Sequence, residues 1–240
     1  MKATLRLIFR RQAFFPSLLG IFINPFFIAR RALCDGIKEM ASAMNGQLLD
    51  IGCGTKPYQS LFMVDAYVGL DIDTEDSRKR GLADHLYDGK DFPYSDASFD
   101  SALCNQVLEH VFNPDEFLLE INRVLKPGGK LLLTVPFVWD EHEQPNDYAR
   151  YSTFGLDFLL KKSGFRILKH KKLGADATIL FQLTNAYLFK IIRDWPNLIK
   201  LGVTITLIAL INALGLIARV LLPRNPDLFL DHLVLAEKVS

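Results

Sequence analysis

The chain is 240 residues long, half of them apolar, with a formal net charge of +1. That length suits one domain with decorations, and the absence of a strong basic excess argues against nucleic acid as a partner. Mean hydropathy is positive, high for a soluble enzyme of this size, so part of the apolar surplus is expected outside an ordinary core. Cys34, Cys53 and Cys104 are few, odd in number and not in metal spacing. They read as free thiols in a reducing compartment, and the sequence offers no metal site.

The first thirty-one residues carry Lys2, Arg6, Arg10, Arg11, Arg30 and Arg31 and no acid. This basic, apolar leader is not a convincing signal peptide, because Arg10 and Arg11 interrupt the apolar run and no small-x-small pattern follows. Residues 12–29 are apolar but contain Pro16 and Pro25. They predict short helices that lie on a surface or pack on the domain.

From residue 47 short apolar runs alternate with longer helical stretches. Strands are expected over 48–51, 67–70, 83–87 (weakly), 99–104 and 130–135. Strands interleaved with helices predict βαβ units and a mostly parallel sheet. Asn113 is placed as an N-cap, Pro114 at the first helical position, and Asp115 and Glu116 at the positive end of the dipole. Phe117, Ile121, Val124 and Leu125 repeat at helical spacing, and Pro127-Gly128-Gly129 ends the helix. A helix over 153–163, a sixth strand over 165–171 and a last strand over 232–237 follow. Between the last two strands lies a long apolar interval, 178–222.

Residues 48–55 read Leu-Leu-Asp-Ile-Gly-Cys-Gly-Thr, a buried strand running into a glycine turn. Glycines there let the backbone take positive φ and approach a ligand closely. Asp71 follows about twenty residues on, the distance at which a βαβ unit brings a carboxylate to ribose hydroxyls. A nicotinamide site is disfavoured, because Pro57 stands where the third glycine of Gly-x-Gly-x-x-Gly would be.

The set resembles the class I S-adenosylmethionine-dependent methyltransferases, in particular the type 11 group. Asp50-Ile51-Gly52-Cys53-Gly54-Thr55 is similar to their first motif and Asp71-Ile72-Asp73 to their second. Asp91-Phe92-Pro93-Tyr94 with Ala97-Ser98-Phe99-Asp100, then Gln106-Val107-Leu108-Glu109-His110-Val111, and then Leu125-Lys126-Pro127-Gly128-Gly129-Lys130 continue the match in family order. It covers about half of the chain, roughly 46–165.

The resemblance implies an α/β fold, a Rossmann-like seven-stranded mostly parallel sheet, with an apolar helical insert before the last strand. The implied organisation is a leader over 1–45, the core over 46–177, the insert over 178–226 and the last strand over 227–240. S-adenosylmethionine is the implied cofactor. Gly52, Cys53 and Gly54 would line its methionine half, with Asp50 beneath that loop. Asp71 would accept from the ribose hydroxyls, Ile72 would pack on adenine, and Asp88 beside Gly89 would accept from the adenine amine. Asn105 and Gln106 would close the site past the fourth strand.

Residues 136–151 lie beyond the fifth strand, where ligands bind in such folds. They contain His142 and Pro145-Asn146-Asp147-Tyr148-Ala149-Arg150-Tyr151, which resembles a stretch of a type 11 subgroup linked with cell-surface glycan or lipid modification. Methyl transfer to a hydroxyl needs positioning and a base near neutral pKa. His142 is the first candidate and His110 the second. Asp147, Tyr148 and Arg150 are candidate substrate residues, with Arg150 pairing either with a substrate anion or with Asp147. The bland alternatives are a solvated His142, a His110 that only hydrogen-bonds within its turn, and an Arg150–Asp147 pair that orders the loop.

Residues 201–222 are long enough to span a bilayer, which takes about twenty apolar residues. A single crossing would leave the last strand on the wrong side, so a hairpin or an interfacial segment is expected, with 180–192 as the other arm. Tyr187, Lys190, Arg193 and Trp195 suit a membrane-interface rim. The alternatives are a packed helical lid or a homodimer interface. The expected protein is thus a cytoplasmic methyltransferase, peripheral on the inner face of a membrane, acting on a small or lipid-linked acceptor with oxygen preferred. Quinones or polyprenoid lipids, a sugar or glycan methylated by a soluble enzyme, and a non-catalytic scaffold are the competing readings. Intact Gly52, Gly54 and Asp71 argue against the scaffold.

Overall fold

The computed structural model describes residues 2–239, with side chains from residue 7 onward, so Lys2 and Arg6 of the basic leader lie outside the described side chains. Leu48, Leu49 and Ile51 are fully buried and Asp50 nearly so. An apolar run buried on both faces is what a central parallel strand requires. Accordingly β1 (Gln47–Ile51) pairs in parallel with β2 (Ala66–Ile72) on one side and with β4 (Phe99–Asn105) on the other. Leu49 sits opposite Val68 in one neighbour and Ala102 in the other. β3 (His85–Tyr87) pairs in parallel with β2, and β5 (Leu125–Pro136) with β4.

The seven strands run in the order β3-β2-β1-β4-β5-β7-β6, where β6 is Phe165–Leu173 and β7 is Asp231–Lys238. Leu230 N–H donates to the Leu173 carbonyl at 2.9 Å, and Val239 N–H donates to the Gly164 carbonyl at 2.9 Å. β7 therefore runs antiparallel to β6. Val138 N–H, just past the end of β5, donates to the Leu230 carbonyl at 3.2 Å, so β7 also opposes β5. Strand order reverses between β1 and β4, the switch point where open α/β sheets bind ligands beyond their carboxyl ends.

The helices are α1 (Lys2–Phe14), α2 (Gly20–Ile23), α3 (Phe27–Met40), α4 (Glu75–Arg80), α5 (Pro114–Val124), α6 (Thr153–Lys162), α7 (Thr178–Ile192), α8 (Asn197–Val203) and α9 (Ala209–Leu221). The leader helices break where Pro16 and Pro25 forbid continuation. Thr74 and Ser77 form a reciprocal capping box on α4. Two local expectations are corrected. Asn113 does not cap α5 with its side chain; its Nδ2 donates to Glu116 Oε2 at 3.3 Å instead. Leu125 belongs to β5 rather than to the helix, and Pro127-Gly128-Gly129 forms an irregularity inside that strand, where the register steps from Phe99–Leu125 to Ser101–Lys130.

The chain divides into two compact units. The sheet unit comprises Ile37–Phe137, Glu141–Lys171 and His232–Ser240. Its core joins Leu49, Ile51 and Ala102 of the sheet to Phe117, Leu118 and Ile121 of α5 and Leu156 and Leu160 of α6.

The helical unit comprises Met1–Gly36, Val138–Asp140 and Lys172–Asp231. Phe27, Ile28, Ala29, Ile179 and Leu230 form its core. Buried amides tie its helices together. Gln182 Oε1 accepts from Ala29 N–H at 3.0 Å, and Asn185 Nδ2 donates to Asn212 Oδ1 at 2.9 Å. A Cβ at Gly215 would lie 2.9 Å from the Phe181 Cβ, so glycine permits the close approach of α9 to α7. Between α8 and α9 the backbone widens into a π-helical turn, Thr204–Ile208. Thr204 and Thr206 donate back to the Lys200 and Gly202 carbonyls there.

Candidate active site

β1 delivers Asp50 and the glycine turn to the switch point. Gly52 and Gly54 have φ of +68° and +51°, and the N–H groups of Gly52 and Cys53 both donate to the Leu70 carbonyl, at 2.8 and 3.1 Å. A Cβ on Gly52 would fall 2.4 Å from Val107 Cγ2, whereas one on Gly54 would meet nothing within 4 Å. Gly52 is thus demanded by packing, and Gly54 opens onto free space. Burial pushes the Asp50 carboxyl up to about 7, although the Tyr67 hydroxyl donates to it at 2.7 Å and opposes the shift. Burial also pushes the Cys53 thiol up to about 12, helped by Asp50 and Asp71, so it is not a reactive thiolate.

Asp71 ends β2 nearly buried. Its Oδ1 accepts from Ile72 N–H at 3.0 Å and its Oδ2 lies 3.1 Å from Arg80 Nη2. Ile72 is 46% exposed, and a Cβ on Gly89 (φ +91°) would stand 3.5 Å from its Cδ1. An exposed apolar side chain beside a bare glycine suits a flat aromatic base. Asp88 Oδ1 accepts from Lys90 N–H at 3.0 Å, closing the Asp-Gly turn. Asn105 and Gln106 stand at the end of β4. Asn105 Oδ1 accepts from the Thr134 hydroxyl at 2.8 Å, and Gln106 is held at φ +56° with its N–H on the Thr134 carbonyl at 3.0 Å. Every residue assigned to the cofactor therefore lies at the carboxyl ends of β1, β2, β3 or β4, or in the turns that follow, and the set fits the group.

The residues expected on the acceptor side lie in the turn Leu108–His110 and the loop before α6. Tyr148 and Ala149 N–H both donate to the Glu109 carbonyl, at 2.8 and 3.2 Å, and His110 Nδ1 donates to the Asn146 carbonyl at 2.7 Å. The imidazoles of His110 and His142 meet edge-to-face with centroids 4.8 Å apart. Within the loop, His142 N–H donates to Asp147 Oδ2 at 3.0 Å, and Arg150 grips both carboxylate oxygens of Asp147, at 2.7 and 2.8 Å. Those Arg150 hydrogen bonds are the main reason that Asp147 sits as low as about 2. Of the two roles read for Arg150, the internal pair with Asp147 is the one present here. Tyr148 is half exposed, and its ring packs on Phe112 at 5.4 Å.

Sequence reasoning passed over several groups. Lys56 Nζ lies 2.6 Å from Asp84 Oδ2, which also accepts from Gly69 N–H at 2.6 Å, tying the glycine turn to β2. Thr134 organises Asn105 and Gln106 from the neighbouring strand. Glu109 was quoted only as part of a motif, yet it is fully buried beside His110. The available signal was an acid directly before a histidine in the short turn that follows β4.

Residues 49–133 match the family model described as a methyltransferase domain. A protein of Methanocaldococcus jannaschii of uncharacterised function is 31% identical over 138 residues, 52% of this chain and 66% of that one. An O-methyltransferase of Aspergillus nomiae is 29% identical over 167 residues, 59% of this chain and 74% of that one. The crystal structure of the [4+2]-cyclase SpnF superposes with a TM-score of 0.56 at 23% identity, covering 86% of this chain and 80% of that one, a likeness of fold. The glycine turn, the strand-end acids and the reversed seventh strand define an enzyme that uses S-adenosylmethionine. Residues 49–133 form a methyltransferase domain of the type 11 group, carried on the fold of the class I S-adenosylmethionine-dependent methyltransferases.

Proposed function

We propose that this methyltransferase transfers a methyl group to the oxygen of a small or lipid-linked acceptor and works as a peripheral protein on the cytoplasmic face of a membrane. The observation that carries the oxygen assignment is the meeting of His110 and His142 at the carboxyl end of β4, next to the cofactor residues. The O-methyltransferase relative supports the same acceptor atom. The cofactor supplies a methyl group activated on a sulfonium. Gly52 to Gly54, Asp71 and Ile72 hold and orient it, and the loop from His142 to Arg150 places the acceptor. His142 takes the acceptor proton at an imidazole nitrogen, with Asp147 Oδ2 at 3.4 Å from its Nδ1 to steady the ring. Incubation with methyl-labelled cofactor and a panel of hydroxylated lipids, phenols and sugars tests this. Label in a methyl ether supports it, whereas label only in amine or carbon products sinks it.

Membrane attachment is supported by the helical unit. The helix Asn197–Leu221 is long and apolar enough to cross a bilayer by length and composition. Leu198, Val220, Leu221 and Tyr187 are 84, 82, 74 and 68% exposed. Val138, Trp139, Leu183, Ala186 and Ile191 line a cleft of about 560 Å3, with Lys190 Nζ 2.9 Å from Asp140 Oδ2 beside them. An apolar cleft with one ionic rim suits an acyl or prenyl chain with a polar end. The buried cysteine thiols fit a reducing compartment. A glycan acceptor is the second reading, favoured by the exposed Tyr148–Phe112 pair, whose rings offer a sugar a stacking surface. Activity on water-soluble sugar acceptors without vesicles would select it.

A further inference from the structure

We propose that Glu109, His110 and His142 bind a divalent cation of the first transition row, which holds and activates the acceptor hydroxyl. The inference rests on the methyl-transfer reading for its role, although the cation site itself can be tested without it.

One potential ligand atom from each of the three residues lies within 4.8 Å of the other two, and Glu109 Oε1 is 3.8 Å from His110 Nε2. Neighbouring residues normally point apart; the tight turn after β4 brings this pair together. The His110 tautomer follows from its partner. A carbonyl oxygen can only accept, so Nδ1, 2.7 Å from the Asn146 carbonyl, carries the hydrogen and Nε2 presents its lone pair toward Glu109. Metal-bound histidines are oriented in this way, the second nitrogen donating to a carbonyl or carboxylate outside the coordination sphere. His142 has its own outer carboxylate, with Asp147 Oδ2 3.4 Å from Nδ1, and Arg150 Nη2 also lies 3.4 Å from that nitrogen.

Glu109 is fully buried and the two imidazoles are partly buried, so the ligands face a site with restricted water. Two imidazoles and one carboxylate favour Zn2+, Co2+, Mn2+ or Fe2+ over Mg2+ and Ca2+, which prefer all-oxygen shells, and they leave positions open for substrate. Ligands at ~2.1 Å from a cation stand ~3–3.5 Å apart, so loading needs a closure of about 1 Å. A cation there lowers the pKa of an acceptor hydroxyl, whose proton leaves to solvent. The oxygen then forms the new bond to the methyl carbon while the carbon–sulfur bond breaks and sulfur keeps its electron pair. With the cation bound, both histidines serve as its ligands, and ionisation of the acceptor by the cation replaces proton uptake by His142 as the route to the same methyl ether.

The test is a Co2+ titration of the full chain after chelator treatment, followed by its visible absorption, with Zn2+ competition and Mg2+ as the control. The expected result is one Co2+ per chain with the bands of nitrogen ligation, displaced by Zn2+ and untouched by equimolar Mg2+. His142→Ala and Glu109→Gln should each weaken Co2+ by at least about tenfold, with S-adenosylmethionine affinity by calorimetry within about twofold. Because Glu109→Gln alters a buried group, His142→Ala in the loop keeps the test open if the former fails to fold. Folded protein that binds S-adenosylmethionine but takes up no Co2+ or Zn2+ overturns the site, as does uptake unchanged in His142→Ala. Intact Co2+ uptake with no S-adenosylmethionine binding would overturn the methyl-transfer reading instead and leave the cation site standing.

Discussion

At the scale of single residues, three acids in the sheet unit have different partners, and two of them, Asp50 and Asp147, are shifted in opposite directions. Asp71 ends its strand with one oxygen on a backbone N–H and the other near Arg80. Asp71→Ala should weaken S-adenosylmethionine binding by about tenfold or more, the worth of a hydrogen bond to a charged group; calorimetry with unchanged affinity would remove Asp71 from the site. Asp50 is held up at about 7 by burial. Between about pH 4 and 7 the folded protein therefore keeps a proton that the unfolded chain has released, and this group's contribution to stability falls as pH rises through that window. Asp50→Asn retains an acceptor for Tyr67 and should flatten that slope, read as the urea midpoint from pH 5 to 8. Asp147 is the reverse case, held at about 2. Its contribution is complete above the ordinary carboxylate range and disappears as pH falls through about 2. Arg150→Met strips the fork from a carboxylate that is only 4% exposed. It should lower stability at neutral pH by about 1–3 kcal/mol, measured by chemical denaturation.

At the scale of elements, the glycine turn separates what folding needs from what binding needs. Gly52→Ala places a Cβ against Val107 at a positive φ and should cost about 2–4 kcal/mol from crowding and backbone strain together. Gly54→Ala meets only open space, so its cost should be the roughly 1–2 kcal/mol of a left-handed backbone. Its cofactor affinity should nevertheless fall steeply. Equal losses of stability in the two variants would contradict this division. The first, second and fourth strands were legible because their apolar runs end in glycine, aspartate or asparagine. Leu125 misled because its helical spacing continues α5, while the sheet captures it across the Pro127-Gly129 irregularity. Asn113 has the right identity for a cap, but Glu116 offers its side chain a competing partner. His110 and His142 were singled out separately. Their meeting, and the part of Glu109 in it, depends on hydrogen bonds between a turn and a loop some forty residues away (Tyr148 N–H to the Glu109 carbonyl, the His110 imidazole to the Asn146 carbonyl), which no spacing rule encodes.

At the scale of the whole molecule, the apolar surplus noted in the composition is spent in the helical unit, on side chains such as Leu198 and Val220 that face outward. Flotation with vesicles rich in anionic lipid should carry the protein upward, and the double change Leu198→Asp with Val220→Asp should return it to the soluble fraction. A protein that stays soluble and monomeric without vesicles or detergent would favour the lid. The position of β7 has a separate consequence. It is the last strand of the sheet to be made, yet it lies between β5 and β6. While a ribosome extends the chain through α7, α8 and α9, those two strands face each other across an empty lane with their edge hydrogen bonds unmet. The nascent chain must therefore hold its most apolar segment and an unfinished sheet at the same time, which makes synthesis the stage at which exposed apolar surface and open strand edges most invite aggregation and chaperone binding.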